Sequence, residues 1–165
     1  MWSVIGRPSG REEGTDDGHE RAYAAQCGNL GELTDGLRSE WLVVEITEHS
    51  AIDDYSVLTP VLAALRALGI RIAVDDASAG FASLRHALQL EPDSIKLDVS
   101  LTKGIDHDRK RRTLAAGMIS FAAELGAEIV AEGIEEDAEL ATLRELGVTY
   151  GQGYLIGRPA PLRAA

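Results

Sequence analysis

The sequence has 165 residues but only one cysteine, Cys27, so an internal disulfide is excluded. Aromatic residues make up only 5% of the chain. No apolar run approaches the roughly 20 residues that a transmembrane helix needs. The N-terminus also lacks a basic segment followed by an apolar one, so no export signal is recognisable. These absences predict a cytoplasmic protein without membrane insertion.

Basic residues are few as well. The chain has 16 lysines and arginines against 27 aspartates and glutamates, which gives a net charge of −11. A surface of this sign repels polyanions, so binding of DNA or RNA is not expected. A small phosphate-bearing ligand held through bound cations remains compatible with it. With 45% apolar and 26% charged residues, the composition is that of a folded globular protein.

The first part of the chain differs from the rest. Residues 7–21 contain no large apolar side chain and are predicted to be a solvated segment. We therefore expect an atypical, partly disordered segment over residues 1–37 and a regular domain over residues 38–165. In this domain, short Val- and Ile-rich runs alternate with helical patterns, which predicts an α/β fold with parallel strands and outer helices. The predicted strands are 41–46, 70–74, 94–97, 128–131 and 154–156.

Carboxylates lie at or near the ends of most predicted strands. In a parallel sheet these ends share one edge, where α/β folds place their functional sites. Carboxylates at one edge repel each other unless solvent separates them or cations neutralise them. Oxygen ligands of this kind suit Mg²⁺, Mn²⁺ or Ca²⁺ rather than zinc, although each carboxylate alone is also a normal helix cap. The residues are Glu45, Glu48, Asp75, Asp76, Asp98, Glu132 and Glu135.

The adjacent pair Asp75 and Asp76 follows the second predicted strand, where the turning backbone lets both side chains reach the same edge. One carboxylate of such a pair can bridge two metal ions while the other completes the second site. Paired ions are a common device for cleaving a phosphodiester. Lys96 would add a fixed positive charge for a phosphate oxygen or a water, and a salt bridge to a neighbouring carboxylate is compatible with that role.

Five sequence blocks resemble, in order and spacing, the C-terminal part of the EAL domain family of bacterial signalling. The blocks are VEITE (44–48), DDASAGFASL (75–84), IKLD (95–98), AEGIE (131–135) and GQGYLIGRP (151–159). The resemblance implies a partial TIM-type (β/α) barrel of about five parallel strands that binds Mg²⁺ or Mn²⁺. It also implies the family's reaction, which is hydrolysis of cyclic di-GMP to linear pGpG by a metal-activated water.

Position within these blocks implies a role for each motif residue. Glu45 is similar to a ligand of the first metal, Asp75 to the bridging ligand and Asp76 to a ligand of the second metal. Lys96 resembles the lysine that holds the attacking water. Glu132 resembles the carboxylate near the second metal and that water. The residues that resemble positions shaping the pocket or its loop are Glu48, Asp98, Glu135 and Gln152.

The sequence departs from the family pattern in two ways. No Glu-Ala-Leu occurs in it, and its one asparagine, Asn29, lies in a segment that is not strand-like. The first three strands of a barrel and two metal ligands are therefore expected to be missing. In the loop after the aspartate pair, Ala77 replaces an aromatic residue and Ala79 a hydroxyl residue. We expect a weakened metal site and an isolated chain that is a weak or inactive phosphodiesterase.

Three functions stay open from the sequence. The first is a shortened cyclic di-GMP phosphodiesterase, and the second is a non-catalytic module that binds cyclic di-GMP or a protein. The third is another acid-rimmed barrel enzyme, such as an enolase relative, against which the adjacent aspartates argue. An incomplete barrel leaves open strand edges and apolar surface, so a homodimer is also expected, with 41–46 as an edge strand.

Overall fold

A sheet of five parallel strands organises the chain. The computed structural model describes residue 39 and residues 42–46, 55–75 and 81–158. The strands pair in the order β1-β2-β3-β4-β5, and every pairing is parallel, which confirms the predicted α/β architecture. The elements are β1 (Val43–Ile46), α1 (Tyr55–Ala67), β2 (Arg71–Val74), α2 (Phe81–Leu90), β3 (Ser94–Leu97), α3 (Val99–Thr102), α4 (Arg109–Leu125), β4 (Glu128–Ala131), α5 (Asp137–Glu145) and β5 (Tyr150–Gly151).

Side chains of each strand alternate between the two faces of the sheet. One of these faces is apolar and packs against the helices. In β3, Ile95 and Leu97 are fully buried in a core with residues of α4 such as Met118. In β2, Ile72 belongs to a second apolar cluster that includes Leu62 of α1. Neighbouring residues of a strand point to opposite faces, so the residues between these apolar ones line the other side of the sheet.

The predicted strand at 154–156 is wrong. The fifth strand is Tyr150–Gly151, and residues 154–156 form a turn. The amides of Ile156 and Gly157 each donate to the carbonyl of Gly153 at 3.0 Å. The apolar residues of this segment favour a strand, but pairing with β4 ends at Gly151. The tertiary context therefore overrides the local preference.

Some predictions concern residues that the structure does not describe. The N-terminal segment, residues 1–37, lies outside the described residues, and so do Glu48 and Asp76. In the described part of the chain, β1 and β5 each have one neighbouring strand. Coverage of an open edge by a second copy stays a prediction.

None of the helices in the described ranges combines the length and the apolar character needed to cross a bilayer.

Candidate functional site

A buried lysine lies at the carboxyl edge of the sheet. Lys96 of β3 is only 2% exposed, and its Nζ lies 2.6 Å from Glu132 Oε1 and 3.1 Å from Glu45 Oε2. A third carboxylate, Asp75, has its Oδ1 3.3 Å from the same nitrogen. These carboxylates lie in β1, directly after β2 and directly after β4. We call these four residues the lysine cluster.

Opposing effects set the ionisation of the lysine cluster. Burial alone would lower the pKa of Lys96, but the hydrogen bond and charge of Glu132, with Glu45 and Asp75, raise it above its ordinary value. Lys96 is therefore charged at neutral pH. Burial raises the pKa of Glu132, and the charges of Asp75 and Glu45 raise it further against the lowering effect of Lys96. Because three carboxylates share one ammonium, this edge attracts further positive charge.

Gln152 holds Glu132 from the side of β5. Its side-chain Nε2 donates to Glu132 Oε1, and its backbone amide donates to the backbone carbonyl of Ala131 at 2.8 Å. The amide of Ile134 donates in turn to the carbonyl of Gln152 at 3.1 Å. The segments that follow β4 and β5 are thus tied together around the Glu132 carboxylate. A pocket-shaping role for Gln152 agrees with this position and stays a prediction.

Asp98 and Glu135 were also predicted to belong to the site, and their side chains bind residues outside the lysine cluster. Asp98 is the N-cap of α3, and its Oδ1 accepts from the amide of Ser100 at 2.8 Å. Burial alone would raise the pKa of Asp98, but hydrogen bonds from Ser100 and from the amide of Val99 lower it below its usual range. Glu135 forms an exposed ion pair with Lys103, with 3.0 Å between Oε2 and Nζ.

The donor chemistry of the lysine cluster fits a hard divalent cation. Carboxylate oxygens are the ligands that Mg²⁺ and Mn²⁺ prefer, and the cluster carries more negative charge than Lys96 can compensate. Among the residues described, no three His, Cys, Asp or Glu side chains are arranged to hold a metal ion between them. The Lys96 ammonium lies between the carboxylates instead. Glu45, Asp75, Asp76 and Glu132 therefore stay predicted ligands.

Comparison with known proteins decides the family. Residues 20–159 match the model of the EAL domain. The chain belongs to the EAL domain family. The resemblance seen in the sequence is thereby confirmed. The EAL domain has a TIM-barrel fold, and the five parallel strands of this EAL domain chain correspond to part of such a barrel.

Named relatives give this EAL domain chain a context. Cyclic di-GMP phosphodiesterase NbdA of Pseudomonas aeruginosa is 35% identical over 161 residues, which cover 89% of this chain and 21% of NbdA. Klebsiella pneumoniae BlrP1, solved with manganese and cyclic di-GMP, is 33% identical with a TM-score of 0.71, covering 86% of this chain and 36% of that one. A second matching BlrP1 structure is a calcium and cyclic di-GMP complex.

A structure of an EAL domain protein from Listeria monocytogenes is 28% identical with a TM-score of 0.74. The match covers 87% of this chain and 57% of the Listeria chain. This EAL domain chain thus spans little more than half of that solved chain, and about a fifth of NbdA.

Glu139 is a buried carboxylate that the sequence analysis missed. It is 3% exposed, and its Oε1 accepts from the amide of Gly104 at 2.8 Å. Its Oε2 accepts from the amides of Glu135 and Glu136 at 3.0 and 3.1 Å. Burial alone would raise the pKa of Glu139, but these hydrogen bonds lower it below its ordinary value. The available signal was a glutamate at the third position of a helix, which commonly reaches back to the first amides.

Replacing Glu139 by glutamine is expected to lower the free energy of unfolding by about 1–3 kcal/mol at neutral pH, because a buried amide loses its acceptor. A lowered pKa means that the contribution of the carboxylate is complete above the unfolded-state value, near 4.5, and is lost as the pH falls through the folded-state value. Urea unfolding should therefore show a difference from wild type that shrinks below that pH.

Glu145→Gln is the matched control, because this glutamate is exposed at the other end of the same helix. It should leave the stability almost unchanged. Equal stability of wild type and Glu139→Gln at neutral pH would contradict the prediction.

Proposed function

We propose that this EAL domain chain binds cyclic di-GMP together with Mg²⁺ or Mn²⁺ at the lysine cluster, as part of a phosphodiesterase that opens the dinucleotide to pGpG. The observation that carries the proposal is the convergence of Glu45, Asp75 and Glu132 on buried Lys96 at the carboxyl edge of a parallel sheet. The name of NbdA and the manganese and cyclic di-GMP complex of BlrP1 support the same chemistry.

Each residue of the site would have its own task. A cation held by Glu45, Asp75 and Asp76 would neutralise phosphate charge and activate water when bound. Lys96 stays protonated among its carboxylates and offers a fixed positive charge to a phosphate oxygen or a water. Glu132, with its raised pKa, is suited to hold a proton next to that position. Gln152 orients the Glu132 carboxylate.

Non-catalytic binding of cyclic di-GMP is the second candidate. It is favoured by Ala77 and Ala79, which follow the aspartate pair at positions where the family resemblance implies an aromatic and a hydroxyl residue. Both candidates require the same ligand, so formation of pGpG separates them.

Calorimetric titration with Mn²⁺, followed by cyclic di-GMP and chromatography of the products, tests the proposal. Asp75→Asn is expected to weaken Mn²⁺ binding about tenfold or more, because it removes a negative charge from the donor set. Glu128→Gln is the control, since Glu128 begins the strand that Glu132 follows and is half-exposed at its opposite end.

Equal Mn²⁺ affinity for wild type and Asp75→Asn would refute the metal site. Binding of cyclic di-GMP without product supports the non-catalytic candidate, whereas release of pGpG supports the phosphodiesterase.

A further inference from the structure

We propose that the Thr102 hydroxyl is a positioning group that fixes the backbone of Glu132 and thereby holds its carboxylate against Lys96. Thr102 is the last residue of α3 and is fully buried. Its Oγ1 donates to the carbonyl of Glu132. The inference deepens the proposed function, because it rests on Glu132 being a residue of that site.

The carbonyl of Glu132 lies where the β3–β4 ladder ends. The amide of Glu132 makes the last bond of that ladder, to the carbonyl of Leu97 at 3.0 Å. In a regular parallel pair, the next donor to the Glu132 carbonyl would be the amide of Val99. Val99 instead begins α3, where the chain leaves the strand, and the Asp98 carboxylate caps this helix by accepting from the amide of Ser100. The Thr102 hydroxyl therefore supplies a donor that the continuing strand would otherwise provide.

Close packing makes the position of α3 decisive for this segment. A Cβ added to Gly133 would lie 2.4 Å from Val99 Cγ2, so the bare glycine lets α3 approach the backbone next to Glu132. On the other side, the amide of Ile134 is held by the carbonyl of Gln152. The segment 132–134 is thus fixed by two contacts, one with Thr102 and one with Gln152. Removal of the Thr102 hydroxyl would break the first contact and leave the buried carbonyl of Glu132 without this donor.

The backbone of Glu132 matters because its side chain makes the shortest contact with Lys96, at 2.6 Å. The same Oε1 accepts from Gln152, so the carboxylate has little freedom to correct for a displaced backbone. A misplacement of about 1 Å in such a site can cost about 100-fold in function.

The test uses the full chain and three variants. Thr102→Val removes the hydroxyl and keeps the side-chain shape, whereas Thr102→Ser keeps the hydroxyl. Thr142→Val is the control, because Thr142 is also buried but lies in α5. Thr102→Val is expected to weaken Mn²⁺ binding about tenfold, as loss of a supporting contact does in metal sites. Thr102→Ser should restore binding, and Thr142→Val should leave it unchanged.

Hydrogen–deuterium exchange provides a readout that needs no metal. Amides of residues 131–135 should exchange about tenfold faster in Thr102→Val, with protection regained in Thr102→Ser. If wild type binds no Mn²⁺, the proposed metal site fails, and exchange alone then decides the positioning role. Faster exchange at 131–135 supports that role, and unchanged exchange overturns it.

A Thr102→Val protein that is less stable but keeps wild-type Mn²⁺ affinity and wild-type exchange at 131–135 would also overturn the proposal. If this variant does not fold, Thr102→Cys replaces it, because a thiol is a weaker donor of similar size. Thr102→Cys should then bind Mn²⁺ more weakly than Thr102→Ser and exchange faster. Equal behaviour of the two would count against the proposal.

Discussion

Replacing Lys96 by methionine is expected to lower the free energy of unfolding by about 3–5 kcal/mol, because buried carboxylates then lose their only counter-charge within the lysine cluster. Methionine keeps most of the apolar stem, so the loss reports charge rather than volume. Denaturant unfolding at neutral pH measures it. Lys103→Met is the control, because the ion pair of Lys103 with Glu135 is equally close but exposed, and little change is expected.

A second measurement compares the melting temperatures of Lys96→Met and wild type with and without Mn²⁺. The melting temperature of Lys96→Met is expected to rise more on Mn²⁺ addition than that of wild type, since the cation would replace the missing positive charge. A Lys96→Met protein with wild-type stability would show that the carboxylates do not depend on the lysine.

Replacing Gly153 by alanine is expected to destabilise the protein by about 3 kcal/mol, because its new Cβ meets backbone rather than a movable side chain. The Cβ would lie 2.1 Å from the carbonyl oxygen and 2.3 Å from the amide nitrogen of Ile134. Both atoms are already hydrogen-bonded at 3.1 Å, to Leu155 and Gln152 respectively, so the backbone cannot yield without breaking the contact between two loops. Thermal unfolding measures the effect.

Gly117→Ala makes the same chemical change with the opposite expected sign. Gly117 lies inside α4, and a Cβ added there meets nothing within 4 Å. Alanine should therefore stabilise the helix by about 0.5–1 kcal/mol. A Gly153→Ala protein that melts at the temperature of wild type or above it would contradict the close approach at Gly153.

Strand alternation and parallel pairing were enough to predict most of the lysine cluster. Parallel strands bring their carboxyl ends to one edge, so residues at those ends meet even when they are distant in the sequence. The same argument could not place Asp98 or Glu135. Each follows the end of a strand, but Asp98 turns to cap α3 and Glu135 pairs with Lys103, and such choices depend on local turns.

The position of the fifth strand and the contact of Thr102 could not be predicted from sequence patterns. The residue types at Tyr154–Ile156 are typical of a strand, yet among the described residues only Tyr150 and Gly151 pair with β4. The role of Thr102 depends on a carbonyl 30 residues away, which no sequence period reveals. Both facts follow from where chains pack against each other, so they need three-dimensional information.

The central place of β3 also bears on how the chain is made. During synthesis from the N-terminus, Glu45 and Asp75 leave the ribosome before Lys96, whereas Glu132 and Gln152 follow it. Contacts between strands that are separated by helices are non-local and form slowly. A nascent chain that ends before β4 therefore holds a lysine with only two of its three carboxylate partners. Complete enclosure of this ammonium has to wait until β4 and the residues that follow β5 have been synthesised.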